Sequence, residues 1–322
     1  MKRRLLLGAL ACPAIVHAQG VSSWTPSRPI RLVVPFPAGG SPDLLARLMA
    51  PSVQASLGQN VVVENRAGAG ATVGSGVVAR EAADGHTILV AVISSLTGPM
   101  MMSPPPYDPL RAFRPLALLA ITPTVLVVRP DFPARDVREW DRVVRASPGR
   151  FSFASGGVGN PAHLAGELYR SMTGAEITHV PFRGSAPSLT ELQAGRVDWT
   201  MPDLPSAQAL IAGGTIPALA VGTAERIPAF PALPTLSESV LPGFEAYSWV
   251  MWWVPAATPD AVAARLVEVA NAALRQPELV ARAATAGFLL RGGDEAAARA
   301  HVAAEAAKWG RVIRERAITF EG

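Results

Sequence analysis

Cysteine is almost missing from this chain of 322 residues, in which Cys12 is the single example. One cysteine cannot form an intramolecular disulfide, and it cannot supply the thiol pairs typical of structural zinc sites. If the N-terminal segment that contains Cys12 is removed, no thiol nucleophile remains either. Such a composition suits a chain that has to tolerate an oxidising compartment.

Motifs for metal or nucleophile chemistry are also lacking. The sequence has no His-Glu-x-x-His, and Ser155, Ser185 and Ser206 stand outside Gly-x-Ser-x-Gly. His163 and Glu167 share a predicted helix face, but no third ligand accompanies them, so no metal site is predicted. The glycines of segment 68–74 miss the dinucleotide spacing by one position. We therefore predict no cofactor and no catalytic residues.

Neither charge nor hydropathy points to nucleic acid or membrane. The first 18 residues hold three of the 29 Lys and Arg and none of the 25 Asp and Glu, which leaves a net charge of about +1. The remaining basic residues are scattered rather than clustered, so no nucleic-acid partner is predicted. No later segment is both long enough to cross a bilayer and free of charge and proline.

The N-terminus is predicted to be a cleavable export signal, residues 1–18. Lys2, Arg3 and Arg4 precede the short apolar run 5–16, and small residues at Val16-His17-Ala18 suit cleavage. Arg3-Arg4 leaves both the general secretory and the twin-arginine route open. Cys12 is interpreted as part of the apolar run rather than as a lipid anchor. The mature chain is therefore expected in the periplasm.

The most informative stretch begins with the apolar strand candidate Ile30–Val34. A Pro/Gly turn follows at 35–40, and Ser41 with Pro42 predicts an N-cap and a proline in the first helical turn. A strand, a glycine turn and a helix start together expose backbone N–H groups at the positive end of a helix dipole. Such a place binds small anions. We expect that a bulky β-branched residue at Gly40 would block this turn.

The same arrangement recurs about 120 residues later. A strand candidate at 151–154 enters the glycine loop 155–159, and Asn160 with Pro161 again predicts a helix start. Cap-plus-proline is common at helix starts, so one copy alone would mean little. Two such loops facing one cleft could hold a carboxylate between two lobes. Arg183, just after another strand candidate, is a carboxylate ligand, a solvated surface residue or a member of an ion pair between the lobes.

The chain alternates strand-like and helix-like segments, which predicts an α/β fold with two αβ blocks. The predicted strands are 30–34, 61–64, 87–93, 124–128, 151–154, 177–181, 196–201, 216–222 and 244–254. The predicted helices are 42–57, 72–83, 137–145, 161–172, 186–193, 259–275 and 295–316. Pro51 is expected to kink or break the first helix. In the last strand, Trp249 and Trp253 should share one face and Trp252 the other.

Many motifs in this order resemble those of one family, the Bug-type extracytoplasmic receptors of tripartite tricarboxylate transporters. The resemblance covers essentially the whole mature chain. The matching motifs are Arg28-Pro29-Ile30, Val33-Val34-Pro35-Phe36-Pro37-Ala38-Gly39-Gly40, Val63-Glu64-Asn65-Arg66-Ala67-Gly68-Ala69-Gly70, Asp84-Gly85, Tyr107-Asp108-Pro109, Ala154-Ser155-Gly156, His163-Leu164-Ala165-Gly166-Glu167, His179-Val180-Pro181, Gly184-Ser185-Ala186, Leu204-Pro205-Ser206 and Lys308-Trp309.

The resemblance implies a two-lobed periplasmic-binding-protein fold of the venus-flytrap, type II-like kind. Lobe 1 is expected to comprise 19–125 and 226–322, and lobe 2 is expected to comprise 126–225. A small carboxylate would be held by main-chain amides, hydroxyls and ordered water from both lobes. The residues implied in the site are Phe36, Pro37, Ala38, Gly39, Gly40, Ser41, Asp43, Ser94, Ser95, Ser155, Gly156, Gly159, Asn160, His163, Gly184, Ser185 and Asp203.

The implied ligand is a di- or tricarboxylate, an aromatic acid or an amino acid, and the implied partners are the transporter's integral-membrane components. The receptor is expected to be a monomer and not an enzyme. Ser41-Pro42 and Met201-Pro202-Asp203 depart from the family pattern, which leaves the identity of the acid open. Two alternatives remain: an exported receptor that presents its ligand to a membrane sensor, and a secreted hydrolase or lyase acting on a carboxylate.

Overall fold

Residues 24–320, which a computed structural model describes, form two mixed β-sheets with helices packed around them. The predicted signal 1–18 lies outside these residues. The strands are β1 (Ile30–Val34), β2 (Val61–Asn65), β3 (Thr87–Val92), β4 (Phe113–Pro123), β5 (Val125–Val128), β6 (Ser152–Ser155), β7 (Thr178–Pro181), β8 (Trp199–Thr200), β9 (Ala218–Val221), β10 (Tyr247–Pro255) and β11 (Leu289–Gly292). The helices are α1 (Ser41–Leu57), α2 (Thr72–Ala79), α3 (Ile93–Thr97), α4 (Val137–Arg145), α5 (Pro161–Thr173), α6 (Ser185–Gln193), α7 (Leu204–Ala212), α8 (Leu236–Ser239), α9 (Asp260–Leu274), α10 (Pro277–Thr285) and α11 (Glu295–Glu315), with a 3₁₀ turn at Pro99–Met101.

Each sheet belongs to one lobe, and the predicted two-lobed α/β architecture is confirmed. The lobe 1 sheet has the strand order β11-β4-β10-β3-β1-β2, and the lobe 2 sheet has the order β7-β6-β8-β5-β9. In lobe 1, β1 runs parallel to β2 and β3, while β10 runs antiparallel to β3 and β4. In lobe 2, β6 runs parallel to β7 and β8. Parallel neighbours end at a common sheet edge, where ligands bind in such folds.

The chain passes between the sheets twice, and the two passages are hydrogen-bonded to each other. Only Thr124 separates β4 from β5, and residues 222–246 lead back from β9 to β10. Gly222 N donates to Thr124 O at 2.8 Å, and the Thr124 hydroxyl donates to Ala246 O at 2.6 Å. The two passages therefore meet at one place between the lobes. The division of the chain after residues 125 and 225 stays a prediction.

The tryptophans of β10 pack on opposite faces of the lobe 1 sheet, as the alternation of the strand predicts. Trp249 and Trp253 belong to the cluster under α11, whereas Trp252 belongs to the cluster under α1 and α9. In α11, Glu305 is 3% exposed and accepts hydrogen bonds from the indoles of Trp249 and Trp309. These rings are therefore core residues, and α11 anchors them.

Strand β4, which spans eleven residues, was not predicted, and the predicted strand 124–128 corresponds to β5. Pro115 and Pro123 concealed β4, because proline lacks the N–H that a central strand normally donates. The structure accommodates Pro115 at a register shift between Trp252 and Trp253 of the neighbouring β10. Further elements that were not predicted are α3, α7, α8, α10 and β11.

Two predicted helix starts shift by one residue. Ser41 and Ser185 are the first helical residues of α1 and α6, and the N-caps are Gly40 and Gly184. Glycine takes the cap in both turns, so neither serine hydroxyl caps its helix. Of the two effects expected of Pro51, a kink or a break, the break does not occur, because α1 continues through Pro51 to Leu57, where the predicted helix ends.

Candidate functional site

A cavity of about 480 Å³ lies between the lobes, at the edge where the parallel strands end. Both lobes contribute to its wall. The lining residues are Phe36, Pro37, Ala38, Gly39, Gly40, Ser41, Pro42, Val92, Ser94, Thr122, Gly156, Asn160, Pro161, Arg183, Gly184, Ser185, Ala186, Pro187, Asp203, Pro205, Ser206, Ser248 and Val250. N-terminal residues of four helices, α1 from lobe 1 and α5, α6 and α7 from lobe 2, therefore surround the cavity. The positive ends of their dipoles favour an anion, although proline removes one N–H from the first turn of α1, α5 and α7.

The lobe 1 loop, residues 35–40, is held from behind by Asp43. This carboxylate is 3% exposed and accepts hydrogen bonds from Gly39 N at 2.9 Å and from the Asn65 amide at 3.0 Å. Arg47 adds a charged contact at 3.0 Å, and Asn65 also donates to Phe36 O. Burial opposes ionisation of Asp43, but these hydrogen bonds outweigh it and lower the pKa of the carboxyl. Asp43 thus shapes the loop rather than lining the cavity.

The lobe 2 loop, residues 155–160, runs against the start of α6. Gly184 N donates to Gly156 O at 3.0 Å, and Phe182 N donates to Ser155 O at 2.9 Å. A Cβ on Gly156 would lie 2.9 Å from Gly184 C and from Ser185 N, so any side chain there would displace the backbone. Asn160 caps α5 by accepting a hydrogen bond from His163 N at 3.0 Å. Position 156 therefore requires glycine.

Two stacked histidines support the lobe 2 loop from below. Their rings lie 4.1 Å apart; His163 Nδ1 accepts from Gly159 N at 3.0 Å, and His179 Nε2 lies 2.7 Å from the Ser155 hydroxyl. Burial lowers the pKa of His163 to about 4 and that of His179 to about 3, so both rings are neutral at neutral pH. Ser155 is fully buried, so its contact with His179 supports the loop and does not present a nucleophile to the cavity.

Paired hydroxyls form the floor of the cavity. Thr122 of β4 and Ser248 of β10 are direct partners in the antiparallel register, and both line the cavity. Sequence analysis missed them because β4 was not recognised and because the partners are distant in the chain. The signal available in the sequence was that Thr122 and Ser248 each place a hydroxyl in a largely apolar segment.

Two side-chain hydrogen bonds cross between the lobes at this cavity. The Ser94 hydroxyl donates to Gly159 O at 3.0 Å, and the Ser41 hydroxyl donates to the Asp203 carboxylate. Asp203 also accepts from the Ser206 hydroxyl at 2.8 Å. Both carboxylate oxygens of Asp203 therefore have partners from the wall itself.

Charged side chains are scarce on this wall. Among the described residues that line the cavity, Arg183 and Asp203 are the charged ones. Within residues 24–320, no group of three His, Cys, Asp or Glu side chains could hold a metal ion. His163 and Glu167 lie 3.9 Å apart, and Glu167 is instead paired with Arg170 and Arg316. The wall thus offers neutral donors, one cation and one anion.

The residues implied by the family resemblance divide into two groups. Twelve line the cavity: Phe36, Pro37, Ala38, Gly39, Gly40, Ser41, Ser94, Gly156, Asn160, Gly184, Ser185 and Asp203. Five lie behind its wall and hold it in place: Asp43, Ser95, Ser155, Gly159 and His163. Direct contact of these five residues with a ligand stays a prediction, and their position behind the wall does not favour it.

The expectation for Gly40 needs correction. Its φ is −77°, and an added Cβ would meet nothing closer than 3.7 Å, so a side chain is not excluded by the turn. The close backbone approach that excludes a side chain occurs at Gly156 in the other lobe. Because the glycine-rich pattern is the same in both loops, the sequence could not show that position 156 excludes a side chain and position 40 does not.

Comparisons with known proteins agree with this geometry. A family model described as "Tripartite tricarboxylate transporter family receptor" matches residues 45–318. Protein BugT of Bordetella pertussis is 34% identical over 312 residues, covering 96% of each chain. The structure of R. palustris Rpa4515 with adipate superposes with a TM-score of 0.84 at 34% identity, covering 91% of this chain and 99% of that one.

A second solved structure, MatC from Rhodopseudomonas palustris with bound malate, has a TM-score of 0.81 and 30% identity, and the match covers 89% of this chain and 99% of that one. In the part of the chain described by the structure, no helix is long and apolar enough to cross a membrane. The family consists of solute-binding receptors. This chain belongs to the tripartite tricarboxylate transporter receptor family, the Bug-type receptors that its motifs resemble.

Proposed function

We propose that this receptor captures a small carboxylate in the cavity between its lobes. The observation that carries the proposal is the convergence of four helix N-termini, those of α1, α5, α6 and α7, on one cavity with hydroxyls at its floor. Backbone N–H groups and hydroxyls are suitable donors for a carboxylate. Support also comes from two relatives of the same fold, one solved with adipate and one with malate.

The energetics are adequate for a receptor. A hydrogen bond to a charged group contributes about 1.5–3 kcal/mol. Micromolar affinity corresponds to about −8 kcal/mol, so several such bonds reach it after the costs of association are subtracted. Hinge closure would exclude water from these bonds and strengthen them. The meeting of the two chain passages at Thr124 and Gly222 is the place that we propose for the hinge.

Membership of the family supports a wider role. We propose that the chain is exported by its N-terminal signal, acts in the periplasm as a monomer, and delivers the acid to the integral-membrane components of its transporter. The lobes are proposed to divide after residues 125 and 225. Under this proposal the protein binds without turnover and needs no cofactor or nucleic acid.

Calorimetry with a panel of acids tests the proposal, using succinate, malate, adipate, citrate, benzoate and glutamate. We expect at least one acid to bind with a micromolar Kd and to raise the unfolding midpoint, since a ligand of the native state stabilises it. Gly156→Ala should weaken that binding at least thirtyfold, because the added Cβ displaces the start of α6.

The matched control is Gly76→Ala in α2, where an added Cβ meets nothing closer than 3.7 Å. It should leave the Kd unchanged. Absence of binding by every acid, wild-type affinity in Gly156→Ala, or turnover of a carboxylate ester or hydroxy acid by the purified protein would contradict the proposal.

A further inference from the structure

Arg183 is the one cationic side chain among the described residues of the cavity wall, and it has no protein partner there. It follows β7, is exposed, and takes part in no hydrogen bond or ion pair within residues 24–320. Several other arginines are engaged; Arg31 and Arg114, for example, each contact two carboxylates. Arg183 is therefore a free guanidinium at the cavity.

Its backbone is fixed beside the lobe 2 loop. The residues on either side of it donate to that loop, Phe182 N to Ser155 O at 2.9 Å and Gly184 N to Gly156 O at 3.0 Å. Arg183 therefore stands one strand spacing, about 5 Å, from the backbone of the loop at the start of α5. A group bound at the helix starts of α5 and α6 has this guanidinium as a neighbour.

The acidic residue of the wall does not neutralise Arg183. Asp203 follows β8, Arg183 follows β7, and β6 lies between these two strands. Two strand spacings, about 10 Å, separate the two positions along the sheet edge. Both oxygens of Asp203 already accept hydrogen bonds, from Ser41 and Ser206. The central loop thus has neutral donors, with a free cation on one side and a satisfied anion on the other.

We propose that Arg183 pairs with a second anionic group of the ligand and so makes this receptor prefer doubly charged over singly charged acids. The inference rests on the proposed function, in which the first carboxylate is bound by the neutral donors of the four helix starts. A guanidinium binds a carboxylate through two parallel N–H donors, which suits a residue that must orient the far end of a ligand. Arg183 is in this role a specificity-determining residue.

The test compares acids of equal length that differ in the second charge: succinate with butanoate, glutarate with pentanoate, and adipate with hexanoate. Calorimetry on the full mature chain gives Kd values for wild type, Arg183→Gln, Arg183→Lys and Arg138→Gln. The last variant is the matched control, since Arg138 is an exposed arginine of the same lobe on α4, away from the cavity.

For the diacid that wild type binds most tightly, Arg183→Gln should raise the Kd at least tenfold. The Kd of the matched monoacid should change less than twofold. Arg183→Lys should fall between wild type and Arg183→Gln, because lysine keeps the charge and loses the bidentate contact. Arg138→Gln should match wild type with every acid.

The outcomes separate the two proposals. Suppose that wild type binds diacids, and that Arg183→Gln either raises the Kd for diacid and monoacid equally or changes neither Kd. The role of Arg183 is then refuted, whereas the proposal of a carboxylate receptor stands. A wild-type protein that binds diacid and monoacid equally well also refutes that role. If wild type binds no acid in either set or in the wider panel, the proposed function fails, and the inference fails with it.

Discussion

The two loops that face each other across the cavity share a sequence pattern but are supported in different ways. In lobe 1 the loop 35–40 is supported by an ionised carboxylate, Asp43, with Arg47 and Asn65. In lobe 2 the loop 155–160 is supported by two neutral imidazoles, His163 and His179. The same backbone turn is thus stabilised by charge on one side and by neutral stacked rings on the other, so the two sides should respond differently to mutation and to pH.

The largest effect is expected from removing the charge behind the lobe 1 loop. Asp43→Asn keeps the shape but replaces one acceptor oxygen of this buried side chain with a donor, opposite the donors from Gly39, Arg47 and Asn65. Leaving a buried polar group without its hydrogen-bond partner costs about 1–3 kcal/mol of unfolding free energy. Urea unfolding at pH 7 measures this loss, and calorimetry should show the Kd for the bound acid rising at least tenfold.

The lobe 2 counterpart is Asn160→Ala, which removes only the side-chain cap of α5. Loss of an N-cap costs about 1 kcal/mol, so this variant should be the milder of the two. If Asn160→Ala loses more unfolding free energy than Asp43→Asn, the charged network of lobe 1 does not stabilise its loop more strongly than the neutral cap stabilises the lobe 2 loop.

Acid should act first on the lobe 2 loop. The unfolded histidines titrate near pH 6.5, whereas burial keeps the pKa of His163 at about 4 and that of His179 at about 3. Below pH 6.5 the unfolded chain takes up protons that the folded chain refuses, so stability falls as the pH drops. Each histidine adds a slope of up to about 1.4 kcal/mol per pH unit. Asp43, whose pKa is lowered, loses its contribution only below about pH 4.

Urea unfolding of wild type and His179→Gln at pH 7, 6 and 5 checks this order. We expect a shallower decline of the unfolding free energy in the variant, whatever its stability at pH 7. His301 also has a lowered pKa and adds a decline of the same sign to both proteins, so the difference between the two slopes is the readout. Equal slopes would exclude His179 as a buried neutral group.

The loops could be predicted from sequence because their conformation is set locally. A strand, a glycine turn, a cap and a proline are all contained in about a dozen residues, and both turns occur where the pattern indicated. The exact cap could not be assigned, since glycine and serine are both acceptable N-caps and Gly40 precedes Ser41. The role of Asp43 could not be predicted either, because Asp43 lies on α1 and its partner Asn65 lies at the end of β2.

The cavity floor could not be predicted, because it depends on pairing between distant segments. Thr122 and Ser248 meet only through the antiparallel register of β4 and β10. The prolines of β4 suppressed the strand pattern that would have revealed one of the two partners. For Arg183 the sequence left three roles open: a ligand contact, the solvated surface or an ion pair between the lobes. Only the folded chain shows that no protein carboxylate within residues 24–320 pairs with it.

The smallest effect is expected at the contact between the two lobes, where Asp203 accepts from the Ser41 hydroxyl. The Asp203 carboxylate accepts a hydrogen bond from the Ser41 hydroxyl, a donor that an acid ligand would otherwise use. Its negative charge also repels such a ligand. Asp203→Asn should therefore tighten binding roughly fivefold, from about 1 kcal/mol of relieved repulsion, with a smaller gain at high salt. Calorimetry at two salt concentrations measures it, with Glu176→Gln, an exposed acid of the same lobe, as the control. Weaker binding in Asp203→Asn would mean that this contact instead helps to hold the lobes closed around the ligand.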